Sequence, residues 1–253
     1  MSYTLITGAS AGIGSVFAKQ LAEQGHDLIL SARRKEKLDE LAKQLIQQYK
    51  IKVETLSADL ANPEGSKVLA DAITEKNWKV NGLINNAGFG DRGLFSDLTL
   101  ERQVQMIQLN VTSLVELTHR LLPNIRQQKN AFIINVASTA AFQAGPKMAI
   151  YYATKAFVLS FSEALHEELK NDNICVSTLC PGATLSEFAQ EANMADTKLF
   201  KAGAMTAEAV VRKSLKKRKK AIVITGWKNI FGVWSGKFSP RCVTRKLAGW
   251  LQA

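Results

Sequence analysis

Short apolar runs alternate with amphipathic stretches along most of the chain. Seven runs read as strands: YTLIT (3–7), HDLILSA (26–32), IKVETLSADL (51–60), VNGLINNAG (80–88), AFIINVAS (131–138), ICVSTLCPG (174–182) and AIVIT (221–225). Between them lie segments with helical spacing. Ser15–Gln24 is one, and 34–49, whose Leu38, Leu41, Leu45 and Ile46 share one face, is another. A third, 63–76, opens with Pro63 in its first turn. Leu100–Gln128 is expected to be helical to Leu122, where Pro123 should stop it. Residues 149–170 and a segment from Ala207 complete the set, with a loop from the sixth strand to about Met205. Strands that are apolar throughout and separated by helices predict an α/β fold. The arrangement is a single doubly wound, seven-stranded parallel sheet with helices on both faces.

The first turn carries chemistry. TGASAGIG joins the first strand to the first helix, the context a phosphate-binding loop needs. Gly8, Gly12 and Gly14, with Ser10 and Ile13 between them, let the backbone turn sharply at a helix N-terminus that favours an anion. The spacing G-x-x-x-G-x-G differs from the common G-x-G-x-x-G, so a simple tight turn remains the competing reading. After the second strand stands SARRK, with no carboxylate for a ribose 2′-hydroxyl and with Arg33 and Arg34 available to fork onto a 2′-phosphate. NADP(H) is therefore the expected dinucleotide. Asp59, after the third strand, is suited to accept from an adenine amino group or simply to cap a loop.

TGASAGIG, NNAG (85–88), Leu109–Asn110, Ser138, YYATK (151–155) and Pro181–Gly182 follow one another at set intervals. In this the chain resembles the short-chain dehydrogenase/reductases from Thr4 to about Thr225. The subgroup that comes nearest is the bacterial ketoacyl and general carbonyl reductases. The resemblance implies a Rossmann-type catalytic domain over 1–225, with a substrate loop at about 183–206. It also implies a catalytic group of Asn110, Ser138, Tyr151 and Lys155. Tyr151 would give its proton to a carbonyl oxygen as hydride arrives from NADPH, and Lys155 would lower the phenol's pKa and hold the nicotinamide ribose. Ser138 would orient the carbonyl oxygen, and Asn110 would fix a proton-relaying water. Asn86, Ala87 and Gly88 would support the adenosine side. Pro181 and Gly182 would approach the nicotinamide amide, with Thr184 and Ser186 nearby. Tyr152, next to Tyr151, is expected to face packing or a neighbouring subunit.

The reaction implied is NADPH-dependent reduction of a carbonyl to an alcohol; a non-catalytic NADP-binding regulator is the alternative. Phe188, Met194, Leu199, Phe200 and Met205 are available to line an apolar pocket, consistent with a hydrophobic or acyl-type ketone or aldehyde. A homodimer or homotetramer is expected. His26, His119 and His166 show no ligand spacing and no metal site is expected; Cys175 and Cys180 read as buried strand residues.

Charge changes the picture only at the C-terminus. The 253 residues carry a formal net charge of +11, with 33 basic and 22 acidic side chains. From Ala209 onward there are 12 Lys and Arg and no Asp or Glu, so residues 1–208 are nearly neutral. The segment 226–253 interleaves those cations with Trp227, Trp234 and Trp250. Three readings stand: packing on the domain or a partner subunit, contact with an anionic membrane surface, or an electropositive mouth for an acyl carrier. Nucleic acid is not expected, since no accompanying fold feature supports it. No apolar run reaches eighteen residues and no signal peptide opens the sequence, so a cytoplasmic protein is expected, membrane-peripheral if the tail docks.

Overall fold

The computed structural model describes residues 2–194, 196–201 and 203–252, with the side chains of 199 and 201 left out of the description. In chain order it runs β1 (Tyr3–Thr7), α1 (Gly12–Glu23), β2 (Asp27–Ala32), α2 (Lys35–Tyr49), β3 (Val53–Ser57), α3 (Gly65–Glu75) and β4 (Val80–Asn85). Then come α4 (Leu100–Ile107), a π-helical turn (Gln108–Thr112), α5 (Ser113–Arg126), β5 (Phe132–Val136), a 3-10 turn (Thr139–Phe142) and α6 (Ala149–Glu168). A further 3-10 turn (Lys170–Asp172) leads to β6 (Cys175–Cys180), β7 (Thr184–Leu185), α7 (Glu187–Glu191), α8 (Lys198–Lys201) and β8 (Met205–Thr206). The last elements are α9 (Ala207–Lys216), β9 (Ile222–Ile224), α10 (Trp227–Phe238) and α11 (Arg241–Leu251).

Seven strands form one sheet in the order β3-β2-β1-β4-β5-β6-β9, and every pairing is parallel. β7 and β8 make a separate two-residue ribbon. Because side chains alternate across a strand, each apolar run feeds two cores. Ile6, Leu28, Leu30 and Ile134 face one layer with Phe17 and Leu21 of α1, Leu38 and Leu45 of α2, and Val210 of α9. Leu5, Ile29 and Ile133 face the other layer with Leu69 and Ile73 of α3 and Leu117 and Leu121 of α5. Burial on both faces is why these strands read as continuous apolar runs.

Several boundaries differ from the sequence expectation. α1 begins at Gly12, inside the glycine loop, and α3 begins at Gly65, with Pro63 in the turn before it. There a Cβ on Gly65 would lie 2.0 Å from the carbonyl oxygen of Asp59, so only glycine lets the helix start against the end of β3. Pro123 does not stop the helix, and α5 runs through it to Arg126. The final turn is pinned from outside: Asn124 accepts from Val80 N at 2.9 Å and donates to Trp78 O at 2.9 Å. Tertiary bonds thus offset the bond that proline removes. The expected loop before Met205 instead contains α7, α8 and the small ribbon.

Candidate active site

The strand order turns back between β1 and β4, and the crevice beyond the carboxyl ends of these strands is where such sheets bind ligands. A single cleft lies there, lined from Gly8 to Gln252. Gly8 (φ +64°) and Gly12 (φ +53°) take the left-handed backbone that other residues rarely adopt. A Cβ on Gly14 would lie 2.2 Å from the carbonyl oxygen of Gly8, so the loop folds onto the start of α1 only with glycine there. No side chain caps α1 and no acidic residue occupies its first turn, so its N-terminus is open to an anion. Ser10 and Ile13 line the same rim. Ser31, at the end of β2, lines the cleft, and its buried Oγ has no partner among the described residues. These features suit a dinucleotide pyrophosphate and ribose.

Asp59, Asn86, Ala87 and Gly88 also border the cleft. Asp59 Oδ1 accepts from Ala61 N at 3.0 Å, forming a local turn. Asn86 Nδ2 donates to Thr7 O (2.9 Å) and Gly8 O (3.2 Å), tying the end of β4 to the glycine loop. Beneath it Asn85 donates to Thr118 Oγ1 and Asn135 Oδ1, and Asn135 donates to Ser162, so these buried amides link four elements, β4, α5, β5 and α6.

The two arginines diverge. Arg33 is exposed at the cleft edge. Arg34 donates to Ser10 Oγ (3.2 and 3.3 Å) and to Glu187 Oε2 (2.9 Å), while Lys37 approaches Glu187 Oε1 at 3.4 Å. The Arg34 guanidinium, seconded by Lys37, holds the Glu187 carboxyl below its usual range. The pair is partly exposed and contributes at most about 1 kcal/mol. Its interest is positional, since Glu187 brings the segment after β7 to the cationic rim. Sequence reasoning missed Glu187 because nothing local links residues 153 positions apart.

Ser138, Tyr151 and Lys155 come together on the cleft wall, the last two from α6, while Asn110 lies behind the lining, bonded to Phe89 and Thr154. α6 buries Tyr151, Tyr152 and Lys155 along with Val158, Leu159 and Ser162, so its inward face carries both apolar and titratable groups. Lys155 Nζ donates to Val136 O at 2.8 Å and sits 5.8 Å from the Tyr151 ring centre. Burial pushes this ammonium down to about 8. Burial pushes the Tyr151 phenol well above its ordinary value, against the pull of the neighbouring Ser138 hydroxyl. Ser138 also accepts from Ala140 N at 3.1 Å and approaches Pro181 O at 3.4 Å, which fixes it at the end of β5. Asn110 lies in the π-turn, a feature frequent at functional sites. Its amide donates to Phe89 O (2.9 Å) and Thr154 Oγ1 (3.2 Å) and accepts from Phe89 N (3.1 Å), clamping the loop after β4. A Cβ on Gly88 would come within 2.9 Å of Asn110 Oδ1 and 3.5 Å of Lys155 Nζ, which accounts for glycine in NNAG.

Pro181, Gly182, Thr184 and Ser186 line the cleft beyond β6. Thr184 Oγ1 donates to Gly182 O at 3.0 Å. Gly182 is overlaid by α10, since a Cβ there would lie 2.3 Å from Asn229 Nδ2. Phe188, Met194 and Phe200 form the apolar wall, and Phe188 meets the Tyr151 ring at 5.5 Å between centres. Met205 does not join them; it packs against the sheet's first core layer under Gly226. The Leu199 side chain lies outside the described residues.

Tyr152 packs, as expected, in a buried cluster with Met106, Ala140 and Met148, but it does more than fill space. It faces the cleft, and its hydroxyl accepts from Gln252 Nε2 at 2.6 Å. Gln252 is fully buried, and its Oε1 has no partner among the described residues. Arg92 draws the same residue inward, donating to Gln252 O (2.7 Å) and Asn193 O (2.8 Å). Ala248, Leu251 and Gln252 therefore form part of the cleft wall. Cys180, behind Lys155, is buried, and its thiol is pushed up to about 12, so it stays neutral.

Residues 2–197 match the family model described as short chain dehydrogenase. The chain is 36% identical over 184 residues to the uncharacterized oxidoreductase YvaG of Bacillus subtilis, covering 72% of this chain and 68% of that one. It is 32% identical over 186 residues to a very-long-chain 3-oxoacyl-CoA reductase of Anas platyrhynchos, covering 71% of this chain but only 59% of that reductase's length. Among solved structures, a short-chain dehydrogenase from Sphingobium yanoikuyae in complex with NADPH superposes with a TM-score of 0.82 at 34% identity. That match covers 94% of this chain and 95% of the other.

Proposed function

The chain belongs to the short-chain dehydrogenase family of oxidoreductases, and from that premise we propose that it is an NADPH-dependent reductase of hydrophobic or acyl-type carbonyls. The observation that carries this is the convergence of Tyr151, Ser138 and Lys155 on one wall of a cleft whose far end is a glycine-rich helix N-terminus. NADPH, when bound, supplies the hydride. Tyr151 holds its proton tightly, because burial disfavours the phenolate. It releases that proton only to a stronger base, and the alkoxide developing on a reduced carbonyl is one. Ser138 is fixed by β5 and the turn at Pro181, and it offers the same oxygen a hydrogen bond. Lys155 supplies positive charge beneath the phenol ring, and Asn110 holds the loop that closes this side of the cleft.

Phe188, Met194 and Phe200 favour an apolar substrate body. The resemblance to a very-long-chain 3-oxoacyl-CoA reductase supports an acyl carbonyl among the candidates. The test is a screen of the purified chain with NADPH against hydrophobic ketones, aldehydes, steroids and acyl thioesters. Turnover is expected within that set. Tight NADPH binding with no turnover across it would favour the non-catalytic regulator instead.

NADP(H) over NAD(H) rests on the absence of a carboxylate after β2 and on the two arginines lining the cleft there. Arg33→Asp should move the ratio of kcat/KM for NADPH over NADH toward NADH by at least about tenfold, the scale of one charge-assisted hydrogen bond. An unchanged ratio would leave the 2′-phosphate to Arg34 and Ser10.

A further inference from the structure

The last two helices turn their apolar side chains outward. On α10, Trp227, Phe231, Trp234 and Phe238 recur at spacings of four, three and four, so they fall within about 60° of one another around the helix. All four are exposed, Phe238 to 83% and Trp227 to 76%. The opposite side is the packed one: Val233 is buried, and Asn229 lies over Gly182. On α11, Val243, Leu247 and Trp250 form a second exposed stripe, while Ala248 and Leu251 face the cleft. One helix thus separates the cleft from the outer face.

Cations frame these stripes. Lys228 and Lys237 flank the aromatic row on either side of α10, and Arg241, Arg245 and Lys246 follow on α11. Lys237 Nζ lies 5.3 Å from the Trp234 ring centre, and Lys198 Nζ 4.2 Å from that of Trp250. No acidic residue occurs from Ala209 onward. An apolar patch of this kind on a folded surface marks an interaction site. Trp and Phe bordered by Lys and Arg match the chemistry of an anionic lipid interface. A second copy would place an all-cationic face against itself across a two-fold axis, where like charges repel.

We propose that α10 and α11 dock the protein on an anionic lipid surface, with Trp227, Phe231, Trp234 and Phe238 entering the headgroup region and the flanking cations meeting lipid phosphates. The test is co-sedimentation of the full chain with phosphatidylglycerol-rich vesicles and with phosphatidylcholine alone, at low and high salt. Binding is expected only to the anionic vesicles, weakening with salt. Three of the four tryptophans lie on this face, so emission should shift to the blue on binding. Phe231→Ser with Phe238→Ser should weaken binding by at least about tenfold, the scale of burying aromatic surface. Neither residue lines the cleft, so NADPH oxidation should be unchanged. Lys228→Glu with Lys237→Glu should weaken binding independently and remove most of its salt dependence. Absence of vesicle binding by the natural chain would overturn the proposal, as would equal binding to phosphatidylcholine. So would a dimer in sedimentation that the Phe double variant converts to monomer, which would make the face a self-interface.

Discussion

Tyr151→Phe is expected to cut turnover with an accepted ketone by about 10²–10⁴-fold while NADPH binding persists. The substitution removes one hydroxyl and leaves the ring, which keeps its contact with Phe188 and its place on α6. The fold should therefore survive, and kcat should fall far more than any change in KM. Steady-state kinetics with fluorescence titration of NADPH would check both halves. Retained turnover would remove Tyr151 as the proton donor. The neighbouring Tyr152 gives the control. Tyr152→Phe leaves the Gln252 amide with neither end paired in a buried wall, so KM should rise while kcat holds.

Lys155→Met should be the second large loss, through charge rather than through the donor itself. A nearby ammonium lowers a phenol by about 1–3 pKa units, and each unit corresponds to up to tenfold in proton transfer. The expected loss is thus about 10- to 10³-fold. The pH profile separates this from a structural effect. The Lys155 ammonium, pushed down to about 8, is charged below that pH and neutral above it. The natural enzyme's kcat/KM for NADPH, which reports the free enzyme, should descend above pH 8. Lys155→Met should lack that limb. A natural profile flat to pH 10 would mean that Lys155 keeps its proton there.

The sequence showed most clearly what depends on neighbouring residues. Ile29 between Leu28 and Leu30 is apolar on both faces of a strand, and that local run is enough to place β2. Gly8 and Gly14 belong to one turn, so their spacing reports the close approach later seen in space. Tyr151 and Lys155 share a helix face, but Tyr152 lies near it too, so the interval alone did not choose between the tyrosines and the family resemblance did. What escaped depends on distant partners. Pro123 continues a helix because Asn124 is held by the start of β4. Met205 is taken by the core rather than the substrate wall. Tyr152 reaches a glutamine one hundred residues away, and Arg92 reaches the same residue across 160. No period or motif connects such pairs.

The span of the cleft has a consequence for how the protein comes into being. Its lining runs from Gly8, just after strand β1, to Gln252, in the last turn after α11. β1 itself needs β4, about eighty residues on, for its second edge. During synthesis a sheet can assemble in stages, yet the wall facing Tyr152 is missing until the final helix has been made and folded back. A chain halted between α6 and that point would hold the glycine loop and Tyr151 while leaving this side of the cleft without its wall. Proteolytic loss of the last turn should have the same result, removing Gln252 from the cleft wall without unfolding the sheet.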